Sequence, residues 1–322
     1  MSEDDPRWDF QMREVRRVMD AAAAGHPPVL LEEPMDSHRA VNEMLTLMWA
    51  QGGPAMADSA DRWVQARGRR ILCRVHRPNT DAPLPVLVWL HGGGWVFSSI
   101  DTVDKLVREY AAGAQVATVS VDYALSPEAR FPQAVLECAA VVRHIAAHGG
   151  EWGLDPARIV IGGDSAGGNL AFATALLLRD TGSAALRGIL SAYPVTAPDF
   201  DSPSYVEFAE GYGLTRAAMK AFWNAYLRDP ADHHNPLAAP LRADVSGLPP
   251  TLIQLAELDV LRSDGEAMAE RLRQAGVPAT LETYKGMLHG FIRLTGEVAV
   301  ARIAMEDACA WLKGRMERSE GP

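Results

Sequence analysis

Apolar residues recur along this chain in two rhythms. Short β-branched or apolar runs, Ile71 to Val75, Val86 to Leu90, Val116 to Val121, Ile159 to Ile161, Ile189 to Tyr193, Thr251 to Leu255 and Thr280 to Tyr284, read as strands, most of them covered on both faces. Helical stretches separate most of the later ones, which predicts an α/β fold. Its mainly parallel sheet is flanked by helices on both sides, and ligands bind beyond the carboxyl ends of the strands. Two helices, Arg7 to Ala24 and His38 to Ala50, precede the first strand and are separated by Gly25-His26-Pro27-Pro28. A gap of about 55 residues between Tyr193 and Thr251 predicts an insertion. Within it, Thr215 to Leu227 carries Met219, Phe222, Trp223 and Tyr226 on neighbouring turns, as an extra core helix or a lid would.

Composition narrows the function classes. The 322 residues are 48% hydrophobic, enough for one large domain with additions. Lys and Arg total 31 against 41 Asp and Glu, and the net charge of −10 repels nucleic acid and anionic lipid. Cys73, Cys138 and Cys309 are too few and too scattered for a disulfide framework or a ligand cluster and read as buried thiols, as in a reducing cytoplasm. The start, Met1 to Pro6, is acidic and turn-prone, unlike an export signal. The longest apolar stretch, Leu170 to Leu178, is about half the length of a membrane span. The tail from Arg315 to Pro322 is expected to fray.

Candidate chemistry sits at the predicted strand ends. Gly163-Asp164-Ser165-Ala166-Gly167 follows one strand and opens a helix, a context that presents a serine hydroxyl on a sharp bend. The pattern alone is weak, arising by chance in about one chain in ten of this length. His91-Gly92-Gly93-Gly94 directly after Val86 to Leu90 is far rarer, and its glycines let backbone N–H groups face a cavity where they can hold an oxyanion. Gly93, Gly94 and Ala166 are the expected donors, while His91 is expected to hold the loop by hydrogen bonding. The serine needs a base, and the base needs an orienting group; both are expected downstream. His289, in the glycine-flanked loop after Thr280 to Tyr284, is the expected base, with His233 and His234 read as solvated loop residues. Asp259 leads as the acid. Glu257 could still lie in the strand, and Asp264 has the position of a helix-initiating carboxylate.

Together these blocks resemble the hormone-sensitive-lipase family (bacterial family IV) of esterases in the α/β-hydrolase superfamily. The resemblance is carried by His91-Gly92-Gly93-Gly94-Trp95, Asp122-Tyr123-Ala124-Leu125-Ser126-Pro127-Glu128, Gly163 to Gly168, Asp259-Val260-Leu261-Arg262 and His289-Gly290-Phe291. It implies an eight-stranded sheet, a helical cap, no cofactor and hydrolysis of short to medium acyl esters. The cap is expected from residues 1–50 and 196–236, with the catalytic domain in 51–195 and 237–322. Trp95, Phe208, Tyr212, Leu214 and Phe222 are expected to contact substrate. Ala124 and Ser126 depart from the family's D-Y-R-L-A-P-E, and Ser263-Asp264 departs from its Asp-Glu.

The expected reaction is acyl transfer to Ser165 and then to water, on a small-molecule ester and without a metal. Amide, lactone or thioester hydrolysis would use the same residues. A non-catalytic binding protein is a further alternative, as in the plant gibberellin receptors, which resemble this family but lack a working triad; His289 argues against it. Neither a nucleic acid nor a membrane span is expected, and a homodimer is left open.

Overall fold

The computed structural model describes residues 5–32 and 34–317. The expectations for Met1 to Asp4 and for residues 318–322 of the tail fall outside them. Two helices come first, α1 (Phe10–Ala24) and α2 (Met35–Leu47). Helix α1 starts three residues later than its periodicity suggests because the Asp9 side chain accepts the Met12 N–H and caps it.

The strands and helices that follow are β1 (Asp58–Ala66), β2 (Arg69–Arg77), β3 (Leu84–Leu90), α3 (Asp104–Ala114), β4 (Ala117–Val121), α4 (Gln133–His148), β5 (Leu154–Asp164), α5 (Ala166–Thr181) and β6 (Gly188–Ala192). After them come α6 (Pro203–Glu207), α7 (Arg216–Tyr226), β7 (Thr251–Leu258), α8 (Arg262–Gln274), β8 (Ala279–Leu288) and α9 (Ala299–Met316). The eight strands form one sheet in the order β1-β2-β4-β3-β5-β6-β7-β8, with β2 antiparallel to both neighbours and every other pair parallel.

Strand β1 escaped the apolar pattern because it is an edge strand with little of its surface covered: Val64 is its one buried residue, and Trp63 is exposed. By contrast, β3 and β4 are buried at every position and α5 is buried over nearly all its length. At the other end of the chain, α9 carries Arg315 and a buried Met316 whose carbonyl accepts from Arg158, so those two tail residues are helical rather than frayed.

From β3 the chain runs to β4 on one side and then to β5 on the other, so the order reverses at β3 and opens a crevice beyond the carboxyl ends of β3 and β5. His91 and Ser165 follow those two ends. The long gap holds α6 and α7, and their Tyr205, Met219, Trp223 and Tyr226 are buried in the same apolar core as the sheet. All three cysteines are buried and unpaired. No described helix is long and apolar enough to cross a membrane.

Candidate active site

Strand β5 ends at Asp164 and α5 begins at Ala166, leaving Ser165 alone on the bend with φ 57° and ψ −120°. A non-glycine residue in that region is strained, and the surroundings must hold it there. They do so through the Ser165 N–H on the Ala192 carbonyl at 2.9 Å and through the Ser165 carbonyl, which accepts from Asn169 and Val195. A Cβ at Gly167 would strike the Leu90 backbone, so the close approach of α5 to β3 requires glycine.

His289 Nε2 lies 2.9 Å from Ser165 Oγ, and its Nδ1 lies 2.7 Å from Asp259 Oδ2. With the ring proton on Nδ1 donated to Asp259, Nε2 can accept from the serine hydroxyl. Asp259 is buried, and its other oxygen accepts the Leu261 N–H at 3.0 Å. Its two rivals are engaged elsewhere. Glu257 accepts the Gly286 N–H, and Asp264 accepts those of Thr196 and Ala197 across 68 and 67 residues of chain. Asp264 thus ties the start of the insertion to α8 rather than capping its own helix. Tyr193, at the end of β6, packs its ring 4.5 Å from the His289 ring; nothing in the sequence pattern marked it.

The glycine loop lies beside the serine. At Gly94 φ is 61°, and a Cβ there would run into the Phe222 ring, so both backbone conformation and space demand glycine. No hydrogen bond among the described residues engages the N–H groups of Gly93 and Gly94, and that of Ala166 precedes the first intrahelical bond of α5. His91 directs Nδ1 to the Gly92 carbonyl at 2.9 Å and stacks on Tyr123, whose hydroxyl donates to the His91 carbonyl. Burial pushes the His91 imidazole down to about 4, so it is neutral near pH 7. Behind the loop, Asp164 takes the Gly92 N–H on Oδ1 and the Arg293 guanidinium on Oδ2. Burial pushes Arg293 down, but the charge and hydrogen bonds of Asp164, together with the neighbouring Tyr193 and Tyr123, outweigh it and hold the guanidinium above the ordinary arginine range.

A cavity of about 430 Å³ opens onto Ser165, His289, Gly93 and Gly94. Its walls come from α1, with Met12 and Met19, from α2 and the turn after it, with Leu45 and Trp49, and from the insertion, with Leu214 and Phe222. Three expected contact residues lie outside it. Trp95 is fully buried, stacked on Tyr226 at 4.2 Å and edge-on to Trp223. Phe208 is fully buried beneath the guanidinium groups of Arg7 and Arg262, and Tyr212 packs on Phe208 and Trp8 with its hydroxyl donating to Asp5. Trp95 and Phe208 satisfy their aromatic surface within the protein and have none to offer a ligand, while Tyr212 is partly buried and does not line the cavity.

A family model for the alpha/beta hydrolase fold matches residues 87–293, which span the glycine loop, the serine bend and the histidine. The chain belongs to the hormone-sensitive-lipase-like α/β hydrolases. A carboxylesterase of Mycobacterium tuberculosis is 42% identical over 234 residues, covering 71% of this chain and 73% of the relative. An acetyl esterase of Salmonella choleraesuis is 30% identical over 94% of each chain. Among solved structures, a thermostable esterase from Pseudomonas putida matches with a TM-score of 0.91 at 35% identity, covering 98% of this chain and 99% of its own.

The two departures from the α/β-hydrolase family's usual motifs are accommodated locally. Beside Ala124, the fully buried Glu137 carboxylate is held by Arg69, by Gln133 and by the Ala124 N–H. Beside Asp264, Ser263 exchanges backbone-to-hydroxyl hydrogen bonds with Ser204, adding a second tie between α8 and the insertion.

Proposed function

We propose that this α/β hydrolase cleaves carboxylic esters of short to medium acyl chains, with Ser165 as nucleophile, His289 as base and Asp259 as the group that orients it. The observation that carries the reading is the unbroken hydrogen-bond chain from Asp259 through His289 to Ser165 at the floor of an open cavity. His289 takes the hydroxyl proton as Ser165 attacks the ester carbonyl. The charge that develops on the carbonyl oxygen is met by the N–H groups of Gly93, Gly94 and Ala166, aided by the positive end of α5. His289 then returns the proton to the leaving alcohol, and a water activated by the same imidazole releases the acid. Residues 1–50 and 196–236 act together as the cap; both supply cavity wall, and its methionines, leucines and phenylalanine suit an acyl chain.

The test is hydrolysis of p-nitrophenyl butyrate by purified protein and by Ser165→Ala, which should stay folded and lose about 10⁶ in turnover. An organophosphate should label Ser165. A variant within tenfold of the parent, or labelling elsewhere with Ser165 free, would overturn the assignment.

A further inference from the structure

Asp164 stands immediately before the nucleophile, and its two oxygens serve different loops. Oδ1 accepts the Gly92 N–H at 2.9 Å, while Oδ2 accepts from Arg293 Nη2 at 2.7 Å and Nε at 3.1 Å. Arg293 belongs to the short turn Phe291–Arg293 that follows His289. A single carboxylate–guanidinium pair therefore joins the serine bend, the oxyanion loop and the segment carrying the base. The Asp164 side chain is 3% exposed and that of Arg293 16%, and both residues line the cavity. Among the described residues Asp164 has no other cation within ion-pairing distance. The titratable side chains around it, His91, Tyr110, Tyr123 and Tyr193, are uncharged, because burial pushes the imidazole down and the phenols well up.

We propose that Arg293 is a positioning residue for ester hydrolysis, supplying the countercharge that lets a carboxylate hold the oxyanion loop without opposing the oxyanion. The inference rests on the esterase reading. During acyl transfer a full negative charge forms on an oxygen held by the Gly93 and Gly94 N–H groups. Asp164 grips the residue just before them, and its side chain is almost wholly buried, so an uncompensated carboxylate there would repel that charge. Paired with Arg293, it keeps its grip on Gly92 and the pair has no net charge. The penalty of losing Arg293 should therefore fall on the transition state, not on substrate binding.

The test compares the full-length parent with R293Q, R293K and D164N/R293Q. R293Q should lower kcat by between about tenfold and the 10²–10³ typical of losing one oxyanion donor, and should weaken a boronic acid inhibitor in step. Its KM should stay within about threefold of the parent, because ground-state binding is untouched. R293K, which keeps the charge, should recover most of the loss. D164N/R293Q, in which two neutral amides can still bridge Gly92 to residue 293, should exceed R293Q in kcat. An R293Q kcat within about twofold of the parent, or a loss confined to KM, overturns the proposal. So does a folded double variant no better than R293Q, because the pair would then be only a mechanical clamp. If R293Q does not fold, the double variant and R293K decide: both near the parent supports the countercharge, and both inactive refutes it. Parent enzyme that neither hydrolyses esters nor takes up a fluorophosphonate at Ser165 removes the esterase reading and this inference with it; a labelled, active parent with indifferent variants removes only the inference.

Discussion

Asp264→Asn should make the protein more stable at alkaline pH, although it removes a buried residue that accepts two hydrogen bonds. Burial disfavours the Asp264 carboxylate, and the Thr196 and Ala197 N–H groups only partly relieve it, so its titration rises from the ordinary 3.8 to about 7. The unfolded chain releases this proton near 3.8, while the folded protein keeps it until about 7. Between those values the folded state binds more protons, so stability falls as pH rises and the loss is complete above the folded value. At about 1.36 kcal/mol per pH unit, the full effect is roughly 4 kcal/mol, of which about 2.5 kcal/mol falls between pH 5 and pH 8.

The amide introduced by Asp264→Asn keeps an oxygen for the Thr196 N–H but cannot ionise, so the variant's stability should lack this slope. Urea unfolding of parent and variant at pH 5, 6, 7 and 8 measures the difference. His91, held near 4, gives stability the opposite slope between about 4 and 6.5, but it does so in both proteins and cancels. Any cost from the unplaced amide NH2 is the same at every pH. Relative to the parent, the variant should therefore gain about 2.5 kcal/mol from pH 5 to pH 8. A difference that stays flat, or moves in the parent's favour as pH rises, would show that Asp264 is ionised throughout and would refute the reasoning.

Two further changes probe the site. Asp259→Asn should cost up to about 10⁴ in turnover by leaving His289 in the wrong tautomer, whereas Glu257→Gln should cost far less; a larger loss at Glu257 in p-nitrophenyl butyrate hydrolysis would move the acid there. Leu214→Ala should shift the preferred acyl chain towards greater length, with a change in kcat/KM of at most about 10- to 200-fold between neighbouring lengths and little change for acetate; an unaltered acyl-length profile would remove the insertion from the acyl pocket.

What the sequence disclosed followed the range of the forces involved. Ser165, Asp259 and His289 are far apart in the chain, but each follows the end of a strand, and the parallel sheet brings those ends together. The glycines at 93 and 94 were legible because the bend itself demands them. Strand β1 was not, because an edge strand needs no apolar run to pair with β2. Trp95, Phe208 and Tyr212 were misplaced for a related reason: an aromatic residue announces that it needs a partner without saying whether that partner is substrate or protein. Phe222 carries the same signal on α7 and does reach the cavity, so only packing separates the cases. Asp264 and Arg293 show the limit most clearly. Read locally, the first looks like a helix cap and nothing in the sequence pattern marks the second, yet their partners lie 68 and 129 residues away. A charge declares its role only when its counter-group is known, and here the counter-group is chosen by the order of strands: β6 beside β7 brings Thr196 to Asp264, and the crevice beside β3 and β5 brings Asp164 to Arg293.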